Sequence, residues 1–140
     1  MDKKKILVIN GPNLNMLGQR DKNHYGTVTL GAICEMMRKE DYFDYIFFQS
    51  NHEGDIIDKI LYTSCDAIII NPGAYTHTSV AIHDALEIKK CEKVEVHLSD
   101  VDNRDDFRKI NFVRDVCTHT VSGLKEYSYI EAIKYLKKVL

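Results

Sequence analysis

Ile6-Leu7-Val8-Ile9, running into Asn10-Gly11-Pro12-Asn13, is the stretch that decides the fold. The apolar run is short, rich in β-branched residues and without alternation. Strands buried on both faces read this way, as in a parallel sheet. It stops at residues that favour turns. Four further apolar runs stand outward along the chain, at Phe43–Phe48, Ala67–Ile70, Val94–His97 and Val116–Val121, and the pattern of the first recurs at Ala67–Ile70 and Val94–His97. Only Val94-Glu95-Val96 alternates clearly.

Helical stripes lie between these runs. Leu30, Ile33, Cys34 and Met37 recur at i, i+3, i+4 and i+7. Ile56, Ile57, Ile60 and Leu61 form a second stripe, and Val80, Ile82, Ala85, Leu86 and Ile88 a third. Tyr129, Ile130, Ile133, Leu136 and Leu140 form the last. Such stripes are expected to face a core, with Thr29 and Thr78 as N-caps. Repeated strand–helix alternation predicts an α/β protein with a doubly wound parallel sheet and right-handed crossovers. Five strands suit the flavodoxin-like order 2-1-3-4-5, with helices on both faces.

The chain has 140 residues, a net charge of −2, 44% hydrophobic and 29% charged residues. One domain over residues 1–140 is expected. The balance does not recruit nucleic acid or a membrane surface. No run reaches the ~18 apolar residues of a membrane span, and Ile6–Ile9 is too short for a signal-peptide core. Cys34, Cys65, Cys91 and Cys117 form no CxxC pair and read as free thiols in a cytoplasmic protein. His77 and His83 do not share a helical face, and no metal-ligand spacing is present. No phosphate-loop motif occurs. The lysines avoid the strand-end motifs, so no Schiff-base nucleophile is suggested.

Ligands of open α/β sheets bind beyond the carboxyl ends of the strands. The loops there are 10–26, 49–54, 71–79 and 97–100. They bring His52, His77 and His97 to one edge with Arg20, Tyr25 and Glu53. Turn chemistry accounts for the Gly, Pro and Asn residues of these loops, but not for that convergence. Two rival readings are weaker. A receiver-type binding module needs an acidic pocket at the first strand end, which lacks Asp. A hydrolase using Ser50 or Ser79 needs a nucleophile elbow that neither serine has.

At these loops the sequence resembles the type II 3-dehydroquinate dehydratases of the shikimate and quinate pathways. The segments are INGPNLNMLGQR (9–20), YG (25–26), FFQSNHEG (47–54), INPGAYTHTSVAIHDAL (70–86) and VEVHLSDV (94–101), then Arg104 and Phe107-Arg108. The chain departs from the family pattern at residues 21–24, at His83, at Asp100 and Asp102, and over 122–129. The resemblance implies a cofactor-free and metal-free anti elimination of water from 3-dehydroquinate through an enolate, giving 3-dehydroshikimate. It serves either aromatic biosynthesis or quinate catabolism. It also implies a dodecamer built as a tetramer of trimers.

That reaction needs a base, an enolate stabiliser and an acid. Tyr25 is the expected base, because a phenol becomes one when a cation stabilises its anion. Arg20, five residues upstream, is always charged. His97 is the expected acid, since an imidazole changes charge near neutrality. Its tautomer is expected to be held by Glu53 or another carboxylate. Asn13 is expected to fix a water against the enolate oxygen. Asn71, His77, Ser99, the backbone of Leu98 and Arg108 are expected to grip the substrate. By resemblance, Asp84 reaches the site of a neighbouring subunit.

Overall fold

The apolar runs become one all-parallel sheet. The computed structural model describes residues 2–140. The strands are β1 (Lys5–Asn10), β2 (Asp44–Gln49), β3 (Ala67–Asn71), β4 (Glu92–His97) and β5 (His119–Ser122). They stand in the order β2-β1-β3-β4-β5, as the sequence predicts. At the centre, Val8 lies opposite Phe47 of β2 and Ile69 of β3. The helices are α1 (Lys22–Tyr25), α2 (Leu30–Lys39), α3 (Glu53–Tyr62), α4 (Val80–Ile88) and α5 (Tyr127–Val139).

Side chains alternate across a strand, so β1 feeds two cores. Ile6 and Val8 pack with Ile33 and Met37 of α2 and Tyr129, Ile133 and Leu136 of α5. Leu7 and Ile9 pack with Ile56 and Ile60 of α3 and Ile82 and Leu86 of α4. Every residue from Ile6 to Ile9 is fully buried. This double burial is why the run shows no alternation.

Three sequence expectations are corrected. The last apolar run does not start a strand at Val116. Asn111 Oδ1 accepts the backbone N–H groups of Val113 and Arg114 at 2.9 and 3.0 Å. A tight turn over Arg114–Val116 follows. Val116 and Cys117 are apolar because they pack on the α3–α4 core from that turn, and pairing begins only at His119. Second, Val80 and Ile88 do not join the core stripe of α4, but stand 53% and 63% exposed.

Third, Ser79 rather than Thr78 caps α4. Its Oγ accepts the Ile82 N–H at 2.9 Å and donates to Glu53 Oε2 at 2.5 Å. Thr29 does cap α2, accepting from Ala32 N at 3.1 Å. Ser79→Ala is expected to cost about 1–2 kcal/mol, the usual loss for an N-cap. The melting temperature should fall by about 5 °C. A calorimetric scan that shows no fall would remove the cap from the stability account.

All four cysteines are free and half-buried. Cys65 and Cys91, far apart in sequence, lie side by side just ahead of the neighbouring strands β3 and β4. Lys93 is buried inside β4. Its Nζ donates to the carbonyls of Leu86 and Lys89 at 2.6 and 2.7 Å, closing the C-terminal end of α4.

Candidate active site

The loops after β1 and β3 interlock. Gly11 N–H donates to the Asn71 carbonyl at 2.8 Å. A Cβ on Gly11 would sit 2.3 Å from the Pro72 carbonyl oxygen, so only glycine permits this approach. Beyond it Asn13 takes the left-handed conformation, φ 69°, uncommon for a residue with a side chain. Its N–H donates to Asn51 Oδ1 from the β2 loop at 3.0 Å.

These loops wall a pocket at the carboxyl ends of the strands. It takes in nearly all the predicted residues: Asn13, Arg20, Tyr25, Asn71, His77, His97, Leu98, Ser99 and Arg108. Arg104 joins them, whereas no Asp or Glu side chain does. The chain is acidic overall, yet this pocket carries three guanidinium groups and two imidazoles. Charge of one sign in a cleft favours an anionic ligand.

Tyr25 ends α1, a single turn whose N-cap Asp21 accepts the Asn23 N–H. The departing segment 21–24 therefore builds the helix that presents the tyrosine. The Tyr25 ring is 9% exposed. Arg20 lies over it, with Cζ 3.7 Å from the ring centroid. Arg104 Nη1 donates to the phenol oxygen at 2.7 Å and to Ser99 Oγ at 3.3 Å. Burial pulls Arg20 below the usual arginine range, and the charges of Arg104 and Arg108 add to this while Tyr25 opposes it.

His97 ends β4 and is 4% exposed. Its Nε2 lies 2.5 Å from Glu95 Oε2, two residues back on the same face of the strand. Glu95 is fully buried. It also accepts from Asn111 Nδ2 at 2.5 Å, Arg114 Nε at 3.2 Å and Thr120 Oγ1 at 2.9 Å. Burial alone would push its carboxyl up. The hydrogen bond and charge of His97, with Asn111 and Arg114, outweigh that and hold it at about 2. A carboxylate only accepts, so the proton of Nε2 is pinned toward Glu95 and Nδ1 is the nitrogen left for the pocket.

The same logic orients His77. Its Nδ1 stands 2.6 Å from the Ile110 carbonyl and must donate to it, leaving Nε2 as an acceptor. Burial lowers its pKa, which keeps the ring neutral; the Ile110 hydrogen bond opposes this. Arg108 keeps a buried Nε–H with no hydrogen-bond partner among the described residues.

Three predicted residues stand elsewhere, the exposed His52 among them. Glu53 does not reach His97, because α3 carries it to Ser79 of the α4 N-terminus. Asp84 sits on the outer face of α4, 65% exposed, with its Oδ1 2.9 Å from His83 Nδ1. Sequence reasoning assigned no role to Glu95 or Arg104. The alternation Val94-Glu95-Val96 was the available signal for Glu95, since a period of two puts Glu95 and His97 on one face. For Arg104 the signal was its place among the residues of the family resemblance, but its partner Tyr25 lies 79 positions away. Asp102, a departure from the family pattern, pairs with Arg114 at 3.2 Å and so braces the group behind His97. Among the described residues, no group of three or more His, Cys, Asp or Glu side chains could hold a metal ion.

Fold and pocket together define a doubly wound α/β protein whose cationic strand-end pocket holds a tyrosine against two arginines and a histidine against a buried carboxylate. The chain matches the family described as Dehydroquinase class II over residues 4–137. It is 49% identical to the 3-dehydroquinate dehydratase of Thermotoga neapolitana, covering 96% of this chain and 95% of that one. It is 48% identical to that of Caldicellulosiruptor bescii, covering 98% and 99%. The crystal structure of the type II dehydroquinase from Butyrivibrio crossotus DSM 2876 superposes with a TM-score of 0.91. That chain is 46% identical, with 96% of this chain and 98% of that one covered. The chain belongs to the class II dehydroquinase family.

Proposed function

We propose that the chain is a cytosolic 3-dehydroquinate dehydratase, converting 3-dehydroquinate to 3-dehydroshikimate by anti elimination of water. One observation carries the reading: a phenol held between two guanidiniums faces the same pocket as a histidine held by a buried carboxylate. Removal of the C2 proton by the Tyr25 oxygen is the difficult step, because that proton is only weakly acidic. Arg20 and Arg104 meet the negative charge of the phenolate that must form first. The enolate that follows is stabilised by a water held at Asn13.

His97 Nδ1 gives a proton to the C1 hydroxyl, which leaves as water as the C1–C2 double bond forms. The charge left on the enolate oxygen returns to restore the ketone. Glu95 stabilises the imidazolium before the transfer and holds the tautomer after it. The substrate carboxylate meets the cationic wall, where the Ser99 hydroxyl and the Arg108 Nε–H, which makes no hydrogen bond and only a 3.6 Å ion pair with Asp105, offer donors. His77 Nε2 accepts from a substrate hydroxyl, and Asn71 holds a further oxygen. The reading needs no cofactor.

Assembly into a dodecamer is part of the same proposal. The exposed side chains of Val80, Asp84 and Ile88 on α4 support it, since a subunit contact would cover them. Sedimentation of the purified protein tests it, and a monomer at micromolar concentration would exclude it.

Turnover is read by ultraviolet absorbance after dialysis against EDTA, because the product is a conjugated enone and the substrate is not. A rise that survives borohydride treatment is expected. No rise from folded protein would overturn the assignment. Arg104→Ala is expected to lower kcat about 100- to 1000-fold, the scale of one charge-stabilising donor. An unchanged kcat would leave Arg20 as the sole partner of Tyr25.

A further inference from the structure

Beneath the pocket lies a buried polar relay of which the chemistry above uses only Asn71. Asn71, at the end of β3, is 2% exposed, Tyr129 of α5 is 0% and Asn10 of β1 is 1%. Tyr129 Oη donates to Asn10 Oδ1 at 2.5 Å. Asn71 Nδ2 donates to Tyr129 Oη at 3.1 Å. Asn71 Oδ1 accepts the Gly73 N–H at 3.1 Å.

The directions follow from the proton count. A phenol has one proton. It goes to Asn10, so toward Asn71 the oxygen can only accept. The Asn71 amide must then turn its nitrogen to Tyr129 and its oxygen to Gly73. Turned over, it would set oxygen against oxygen and N–H against N–H. One Nδ2 hydrogen and one Oδ1 lone pair remain, and Asn71 lines the pocket. Burial pushes the Tyr129 hydroxyl well above the usual phenol range, although the Asn71 hydrogen bond opposes it, so it stays a donor.

We infer that Tyr129 is a positioning residue: its hydroxyl, anchored on Asn10, sets the amide orientation that Asn71 shows the substrate. Tyr129 is not among the residues lining the pocket and acts through Asn71. The inference rests on the reading of Asn71 as a substrate contact. It places an unrecognised determinant of substrate affinity in the C-terminal helix.

Four proteins test it: the unaltered chain, Tyr129→Phe, Asn71→Ala and the double variant, each checked for fold by circular dichroism. Tyr129→Phe should raise KM and lower kcat/KM about tenfold, as expected for the loss of one oriented hydrogen bond. In the Asn71→Ala background the same change should cost less than about twofold, because coupled residues are not additive. A purely structural tyrosine would lower kcat/KM by the same factor in both backgrounds, and that outcome overturns the inference. So does normal kcat/KM in Tyr129→Phe. Normal kcat/KM in Asn71→Ala would instead remove Asn71 from the substrate contacts, and the inference with it. Should Tyr129→Phe fail to fold, Asn10→Ala breaks the relay from its other end, with the same coupling expected.

Discussion

Tyr25→Phe is expected to lower kcat by about 10³-fold or more, at the upper end of what a general base contributes. The substitution removes one oxygen and keeps the ring, so Arg20 retains the face it lies over at 3.7 Å. Arg104 loses its 2.7 Å acceptor but keeps Ser99. The fold should therefore hold, with the melting temperature within about 3 °C of the original, a shift worth about 1 kcal/mol. Substrate should still bind, because Arg108, His77 and Asn71 are untouched. Single-turnover absorbance measures the chemical step, and equilibrium dialysis measures binding. Residual turnover within about tenfold of the unaltered enzyme would mean that another group takes the C2 proton. Lost binding would mean that Tyr25 grips the substrate rather than acting on it.

Glu95→Gln should strike both catalysis and stability. Each carboxylate oxygen of Glu95 takes two donors: His97 and Asn111 on Oε2, Arg114 and Thr120 on Oε1. A glutamine turns one oxygen into an amide nitrogen, which faces two donors with hydrogens of its own. At least one of these bonds must break, because a donor such as Arg114 Nε–H cannot accept. The imidazolium that forms at His97 also loses its counter-charge. We expect kcat to fall by about 10²–10⁴-fold, the range for disturbing the partner of a catalytic histidine. Breaking a buried charge network costs about 3 kcal/mol, which lowers the melting temperature by about 10 °C.

Acid exposes the same group. The folded carboxyl is held at about 2, below the ~4.3 of an unfolded glutamate. A depressed pKa contributes stability that is fully present above the unfolded value. That contribution is lost as pH falls from about 4.3 through about 2. The unaltered protein should lose stability faster than Glu95→Gln across that window in denaturant titrations. Parallel losses would contradict the charged state of Glu95. A kcat within threefold of the original would show that His97 needs no carboxylate behind it.

The corrections share a cause. Val116 and Cys117 are apolar enough for a strand, and only the Asn111 cap shows that they pack from a turn. Val80 and Ile88 fit a helical period, but the sheet covers one arc of α4 and they fall outside it. Glu53 belongs to the strand-end motifs, yet it follows β2, which β1 and β3 separate from β4, and its carboxylate ends on Ser79. In each case a local pattern identified the residue type and a distant segment chose its partner.

What the sequence determined by itself is the order of the sheet and the loops that form the pocket. Non-alternating runs, helical periods and turn residues are local properties, each expressed within a few bonds of where it is written. The same reading placed Tyr25, Arg20, His52, Glu53, His77 and His97 at one edge, because strand ends converge in a doubly wound sheet, and the family resemblance added Arg108. Tertiary structure alone decided who holds whom across the fold: Arg104 on Tyr25, and Tyr129 on Asn71 and Asn10. Those bonds join residues up to 119 positions apart. A buried donor or acceptor must find a partner wherever the fold supplies one, and sequence spacing carries no record of that choice.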